Sequence, residues 1–292
     1  MYSVGKILRE LDGITVKSDL SDGNSARALP DKEKICGIIN DTLSLLFPGY
    51  FGAADGGTRE TVAERAVSCL SEQIDAVFDS EKSLSGRCGV ETAWKFLEKL
   101  PKLKEILLTD IEALYNGDPA AKNREEVLIC YPGFFAVAVY RIAHELFLMG
   151  VPVIPRIMTE YAHGKTGIDI HPGAEIGDHF FIDHGTGIVI GETTVIGSNV
   201  KLYQGVTLGA RSFELDKDGN PVKNLKRHPN IGNNVIIYAN ATILGGNTFI
   251  GDNCIIGAST WIVQSVPENS TVLYSSNTEK ILQLWGDNGL GI

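Results

Sequence analysis

No stretch of 18 consecutive apolar residues occurs in the 292-residue chain, so the sequence offers no transmembrane helix. Met1 to Glu10 hold no apolar block of the kind a secretory leader needs. Cysteine is scarce: five residues, at 36, 69, 88, 130 and 254, without a CxxC pair. That argues against a disulfide framework and fits free thiols in a cytoplasmic setting. Positive charge is also in short supply, with 26 Lys and Arg against 36 Asp and Glu. A net charge of −10 excludes a general nucleic-acid binder, which needs a basic footprint. What is present is ordinary for a globular protein: 43% hydrophobic and 21% charged residues, enough apolar content to exclude wholesale disorder. The length allows one large or two modest domains.

The two halves differ in periodicity. Residues 1–30 are polar and dotted with Gly, Ser and Asp, which predicts a loosely ordered arm with one short helix at Val4–Leu11. From Ile35 to Tyr161 the apolar residues follow helical spacing, as in Ile35, Ile38, Ile39, Thr42, Leu43, Leu46 and in Val62, Ala66, Val67, Leu70, Ile74, Val77. Pro48-Gly49-Tyr50 and Asn116-Gly117-Asp118-Pro119 read as breaks. Pro132–Met149 is a strongly apolar helix, and Pro152 and Pro155 introduce a last helical segment. The expected helical domain spans 1–165.

After Gly167 single aliphatic residues recur every six positions, often followed by glycine. They are Ile170, Ile176, Ile182; Ile190, Ile196, Leu202, Leu208; Ile231, Ile237, Ile243; and Ile250, Ile256, Ile262. Such a hexapeptide repeat is the mark of a parallel β-helix of about four coils, with three six-residue units per coil and the aliphatic side chains stacked inside. The expected fold class is α+β, the helical domain being followed by the β-helix at 166–267 and a C-terminal tail at 268–292. Three phase breaks stand out. Ile190 follows Ile182 by eight positions, and Ile250 follows Ile243 by seven. Ile231 follows Leu208 by 23 positions, which extrudes a loop at 211–227. Insertions in solenoids fall on loops, often the functional ones.

Two breaks carry histidine, His184 and His228. Either by itself reads as a solvated turn residue, but their neighbours are chemical. Asp169 precedes His184 by about one coil, so the two can lie side by side, and a carboxylate beside an imidazole suits general-base work. Asp169 as a simple cap on the solenoid is the plainer alternative. The loop holds five of the seven basic residues beyond position 165, Arg211, Lys217, Lys223, Lys226 and Arg227. It is either a solvated loop or a cover for an anionic cosubstrate with phosphates.

The longer strings resemble the serine O-acetyltransferase family. They are Asp118-Pro119, Tyr131-Pro132-Gly133-Phe134, Tyr140-Arg141-Ile142-Ala143-His144, Gly167 to Ala174, Ile182 to Thr193 with its Asp-His-Gly-Thr-Gly core, Gln204 to Gly209, and Lys226-Arg227-His228-Pro229. The resemblance runs from about residue 105 to 267. It implies a left-handed coil and acetyl transfer from acetyl-CoA to the hydroxyl of L-serine, the first step of cysteine biosynthesis, with no metal. It also implies roles. His184 corresponds to the general base and Asp169 to its orienting carboxylate. Asp118 and Asp183 correspond to the holders of the substrate ammonium, Arg227 and His228 to the carboxylate clamp. Gly205, Gly209, Ala210, Ala239 and Ala258 match positions along the coenzyme groove. Assembly as a homotrimer or a dimer of trimers is implied, with active sites between subunits. A C-terminal Ile292 resembles the peptide that enters O-acetylserine sulfhydrylase. The pattern departs from shorter family members at Ala210-Arg211-Ser212-Phe213, where the longer loop opens.

Three rival readings share parts of this pattern. An acyltransferase acting on a sugar or an antibiotic would use His184 but has no need of Asp118, Asp183 and Arg227 together. A metal-dependent hydratase of the γ-carbonic-anhydrase type would use His179 and His184, with His171 or His228 as a third ligand, and leaves Arg227 without a task. A non-catalytic partner protein would only display the Ile292 tail, and needs neither His184 nor Asp169.

Overall fold

The computed structural model describes residues 29–274, apart from 53–56, 81–83 and 85. The helix expected at Val4–Leu11 and Ile292 of the tail lie outside the described residues. Among the described residues seven helices come first: α1 Lys32–Leu46, α2 Arg59–Ser80, α3 Gly89–Leu97, α4 Leu100–Gly117, α5 Arg124–Cys130, α6 Pro132–Leu148 and α7 Ile154–Thr166. Their starts follow from local chemistry. Asp31 caps α1 by accepting from the N–H groups of Glu33 and Lys34, and Asn123 caps α5 through Glu126 N–H. Proline stands in the first turns of α4, α6 and α7, where no helical N–H is missed. The helically spaced aliphatics become the inner faces, with Ile35, Ile39, Leu43, Leu70 and Ile74 at most 1% exposed. Among the described residues no single helix is long and apolar enough to cross a membrane.

Gly167, in the left-handed conformation, ends α7. The chain then winds into a left-handed β-helix of strands two or three residues long, the expected fold class. Three parallel sheets form its walls. The first stacks Ile170, Ile190, Leu208, Ile243 and Ile262. The second stacks Ile176, Ile196, Ile231 and Ile250. The third stacks Ile182, Leu202, Ile237, Ile256 and Val272. All thirteen phased aliphatics are buried, each contributing about 1.5–3 kcal/mol through burial. Sheets of five, four and five strands make nearly five turns, where the repeat predicts about four coils. The closing strand, Thr271–Val272, is out of six-residue phase with Ile262 and therefore invisible to the pattern.

One corner, between the second and third sheets, is held by a ladder of asparagines in left-handed conformation: Asn199, Asn234, Asn253 and Asn269. Each side-chain amide donates to the next side-chain carbonyl, at 2.9, 3.0 and 3.0 Å. Beside the ladder, a Cβ on Gly197 would stand 2.9 Å from the Gly232 carbonyl oxygen, so the tight stacking there demands glycine.

Helix α6 joins the two halves. Phe134, Val139, Ile142 and Leu146 belong to the helical core, whereas Ala136, Val137 and Tyr140 plug the open end of the solenoid core. The Tyr-Arg-Ile-Ala-His string of α6 is the fastening. Tyr140 Oη donates to Ala174 O at 2.5 Å. Arg141 donates to Ile176 O and Gly177 O and pairs with buried Asp110 of α4 at 2.6 Å. Asp110 also accepts from Phe180 N–H at 2.9 Å, so the buried carboxylate takes three hydrogen bonds in all. His144 Nδ1 lies 2.7 Å from Pro172 O.

Candidate functional site

The register locates the phase breaks. Asp169 pairs with Val189, 20 residues on; Val189 pairs with Thr207, 18 on; Thr207 pairs with Thr242, 35 on. The two extra residues of the first coil bulge at the corner between the third and first sheets, because Asp183 pairs with Tyr203 while Gly205 N–H already reaches Thr186 O. His184 stands on this bulge. Its backbone is left-handed, φ 56°, an uncommon conformation for a non-glycine residue. Its side chain is 71% exposed, with Nε2 3.7 Å from Asp183 Oδ1.

Asp118, the residue that ends α4, borders the same corner. Tyr131 Oη donates to its Oδ2 at 2.5 Å and Ala120 N–H to its Oδ1 at 2.8 Å. The Tyr131 hydrogen bond, then the Ala120 N–H, hold the Asp118 carboxyl below the usual carboxylate range, and His184 acts in the same direction. Burial, followed by the bond to Asp118, pushes the Tyr131 phenol up. Tyr203 stacks on Tyr238 with ring centroids 5.2 Å apart and closes one side. Above His184 the corner carries small residues: Ser259 N–H binds Ala239 O and Asn240 N–H binds Gln204 O, which brings Gln204, Ala239 and Ala258 into one column beside Gly205.

The corner between the first and second sheets is built differently. Here the turn Gly191-Glu192-Thr193 receives Lys226-Arg227-His228, where the extruded loop rejoins the coil. Arg227 pairs with Glu192. Lys226 Nζ donates to Thr193 O and, at 2.8 Å, to Asn230 Oδ1. His228 is 7% exposed. Burial, then the Arg227 charge, push its imidazole down to about 4, so it is neutral at pH 7. Burial opposes ionisation of Glu192, but the Arg227 hydrogen bond and the His171 charge hold its carboxyl below the ordinary range. Gly209 pairs with Leu244, and Gly209 and Ala210 lie one coil above Gly191 and Glu192, since Gly191 N–H binds Leu208 O. The loop folds over a cavity of about 400 Å³ lined by Arg211, Phe213, Lys226, Gly246 and Thr248. Arg211, Lys217 and Lys223 make no ion pair among the described residues.

Asp169 is not stacked on His184 within one chain. The 20-residue coil puts Val189 over Asp169, and a separation of 15 residues crosses the corner instead of spanning one turn. Asp169 faces Arg156 at 3.6 Å and lies with Glu160 and His163, their ligand atoms within 4.8 Å of one another. Arg156 also pairs with Glu160, so a cation already neutralises both carboxylates. Electrostatically Asp169 belongs with the second corner, since it, Glu192, Arg156 and Arg227 all act on half-buried His171. The sequence-derived residues therefore fall into two sets: Asp118, Asp183, His184, Gly205, Ala239 and Ala258 at one corner; Asp169, Gly209, Ala210, Arg227 and His228 along the first sheet and at the other. Tyr131, Glu192 and Thr193 were given no role from sequence, although each sits inside a string quoted for the resemblance.

No protein-family model matches the chain. The plasmid serine acetyltransferase of Synechococcus elongatus is 41% identical over 260 residues, covering 84% of this chain and 81% of that protein. The crystal structure of Entamoeba histolytica serine acetyltransferase 1 in complex with L-cysteine superimposes with a TM-score of 0.68 at 41% identity, over 84% of this chain and 87% of that one. The serine acetyltransferase of Brucella abortus in complex with coenzyme A gives a TM-score of 0.58 at 28% identity, over 83% and 80%.

Proposed function

The chain belongs to the serine acetyltransferase family, and on that premise we propose that it transfers the acetyl group of acetyl-CoA to the hydroxyl of L-serine, giving O-acetyl-L-serine and CoA for cysteine biosynthesis in the cytoplasm. The observation that carries the reading is His184: an exposed imidazole on a left-handed turn, with the Asp183 and Asp118 carboxylates beside it. His184 takes the serine hydroxyl proton as the oxygen attacks the thioester carbonyl carbon. The tetrahedral intermediate collapses with cleavage of the carbon–sulfur bond, and the imidazolium returns the proton to the CoA thiolate. Asp118 and Asp183 hold the substrate ammonium. Arg227 and His228 hold its carboxylate, the guanidinium fork being suited to that task. Small residues above each corner, Ala239 and Ala258 at one, Gly209 and Ala210 at the other, leave room for the pantetheine arm. The loop cations Arg211, Lys217 and Lys223 face the phosphates.

The division into two corners supports a site shared between copies in a homotrimer or a dimer of trimers. The His184 corner of one subunit meets the first sheet of the next, which supplies Arg227, His228 and the orienting Asp169. L-cysteine has the same ammonium and carboxylate and competes for the same holders. The tail, ending in Ile292, docks O-acetylserine sulfhydrylase. The test is thiol release from acetyl-CoA with L-serine, beside L-homoserine, a hexose and no acceptor. Release with serine alone is the expected result; none with serine overturns the acceptor.

A further inference from the structure

Thr193 makes more contacts with the Lys226-Arg227-His228 segment than any role in turn geometry requires. Its Oγ1 accepts from the backbone N–H of Arg227 at 3.0 Å and of His228 at 3.1 Å. With both lone pairs of the hydroxyl engaged, its hydrogen is left to donate, and His228 Nδ1 lies 2.9 Å away. Thr193 N–H donates to the same Nδ1 at 3.0 Å. An Nδ1 that receives two donors carries no proton, so the single proton of this neutral ring sits on Nε2. Nε2 has no hydrogen-bond partner among the described residues, and it is not among the buried unsatisfied atoms. It is therefore a donor open to a ligand. The Cδ2–Nε2 edge of the ring lies over Gly191, where a Cβ would stand 2.1 Å from Cδ2 and 2.2 Å from Nε2, so glycine at this place is what leaves Nε2 uncovered. Charged groups around the ring are Arg227, Lys226, Glu192 and His171.

We propose that Thr193 is the positioning residue of the acceptor-carboxylate clamp: it fixes His228 as the Nε2–H tautomer and anchors Arg227 beside it, so that two donors converge on a carboxylate. The proposal rests on the assignment of Arg227 and His228 as that clamp. It makes His228 a neutral hydrogen-bond donor in binding and leaves proton transfer to His184. Discrimination between acceptors with and without a carboxylate then depends on a hydroxyl that touches no substrate atom.

Two measurements test it. The first is ¹⁵N NMR of the imidazole nitrogens in the full-length protein at pH 7, with His228 assigned by its H228Q variant. An unprotonated Nδ1 and a protonated Nε2 are expected; the reverse tautomer or an imidazolium overturns the proposal, and this readout needs no knowledge of the substrate. The second is steady-state kinetics of Thr193→Val and Thr193→Ser. Removing an acceptor from two N–H groups leaves them unsatisfied. T193V is therefore expected to raise KM for serine about tenfold, with kcat within about threefold and KM for acetyl-CoA unchanged; T193S, which restores every contact, stays within about twofold of wild type. An unchanged serine KM in T193V, or a kcat loss that T193S shares, overturns the role. Failure of the wild-type protein to use serine would instead remove the functional assignment and leave the NMR result standing.

Discussion

The two histidine-bearing corners are opposite constructions on one solenoid. His184 stands on a bulge of two extra residues, exposed, with Asp183 Oδ1 3.7 Å from its Nε2 and no hydrogen bond to its ring among the described residues. His228 lies against a glycine, buried, with Nδ1 occupied twice and its ring neutral at pH 7. A base must exchange protons with substrate and needs an accessible ring; a binding donor must keep one proton in one place and needs a pinned ring. The difference teaches that a histidine at a repeat break has no fixed meaning: the surroundings of its nitrogens decide its chemistry.

The largest expected effect comes from removing one residue at each corner. His184→Ala should lower kcat by about 10²–10⁴-fold, the usual contribution of a general base, while thermal unfolding stays where it was because the side chain is exposed. Arg227→Ala should leave a folded protein that binds serine poorly. Mixing the two inactive proteins and allowing subunits to exchange sharpens the comparison. If each site draws one corner from each of two subunits, about a quarter of the interfaces in a 1:1 mixture regain both residues. No regained activity, in a mixture shown to exchange, would place both corners of a working site in a single subunit.

Gly191→Ala attacks the pinned histidine. The added Cβ would lie 2.1 Å from His228 Cδ2, so the ring must leave its seat. Overpacking of this kind costs about 1–3 kcal/mol, a fall in Tm of roughly 2–4 °C for each kcal/mol in a chain of this size, and serine KM should rise with it. The same change at an open glycine such as Gly219, in the extruded loop, meets nothing within 4 Å but must adopt a φ near 81°. Its effect on serine KM should be absent, which separates displacement of the ring from general strain.

Much of this was legible in the residues. The six-residue phase named the solenoid, and the places where phase failed located both corners. The pattern fell short where two elements far apart in sequence meet. A nominal coil length places Asp169 beside His184, but the bulge that carries His184 lengthens that coil and moves the pairing to Val189. Tyr131 reaches Asp118 from the next helix but one along the chain, and no spacing rule connects a helix end to the start of another. Thr193 and His228 are 35 residues apart because a loop intervenes. The closing turn at Thr271–Val272 is silent in the pattern for the opposite reason: it stacks in register without repeating in sequence.

At the open corner a smaller effect is expected from Tyr131→Phe. Losing the phenol removes the first of the groups that hold the Asp118 carboxyl low, so that carboxyl should protonate at higher pH than in the wild type. If Asp118 holds the substrate ammonium only when ionised, KM for serine should rise about three- to tenfold, more at pH 4.5, near the ordinary carboxylate range, than at pH 7, with kcat changed less. A KM increase of the same size at both pH values would mean that Tyr131 acts by packing alone.

The finest test of the contrast is stability against pH, where the buried histidine of the closed corner should show. In the unfolded chain His228 takes up a proton near 6.5, the ordinary value; in the folded chain it does so only near 4. Between those values the unfolded state binds more protons, so stability falls as pH falls through the window. His171 is depressed in the same direction by burial and adds to the slope. His228→Asn removes the His228 contribution and leaves those of His171 and of the depressed carboxylates Asp118 and Glu192 in place. The variant should be less stable than wild type at pH 7.5, having lost the ring that fills the Gly191 seat, yet should lose fewer degrees of Tm on going from pH 7 to pH 4.5. Parallel curves for the two proteins would mean that His228 protonates in the folded state as readily as in the unfolded one, and the pinned, neutral donor would then be the wrong description of that corner.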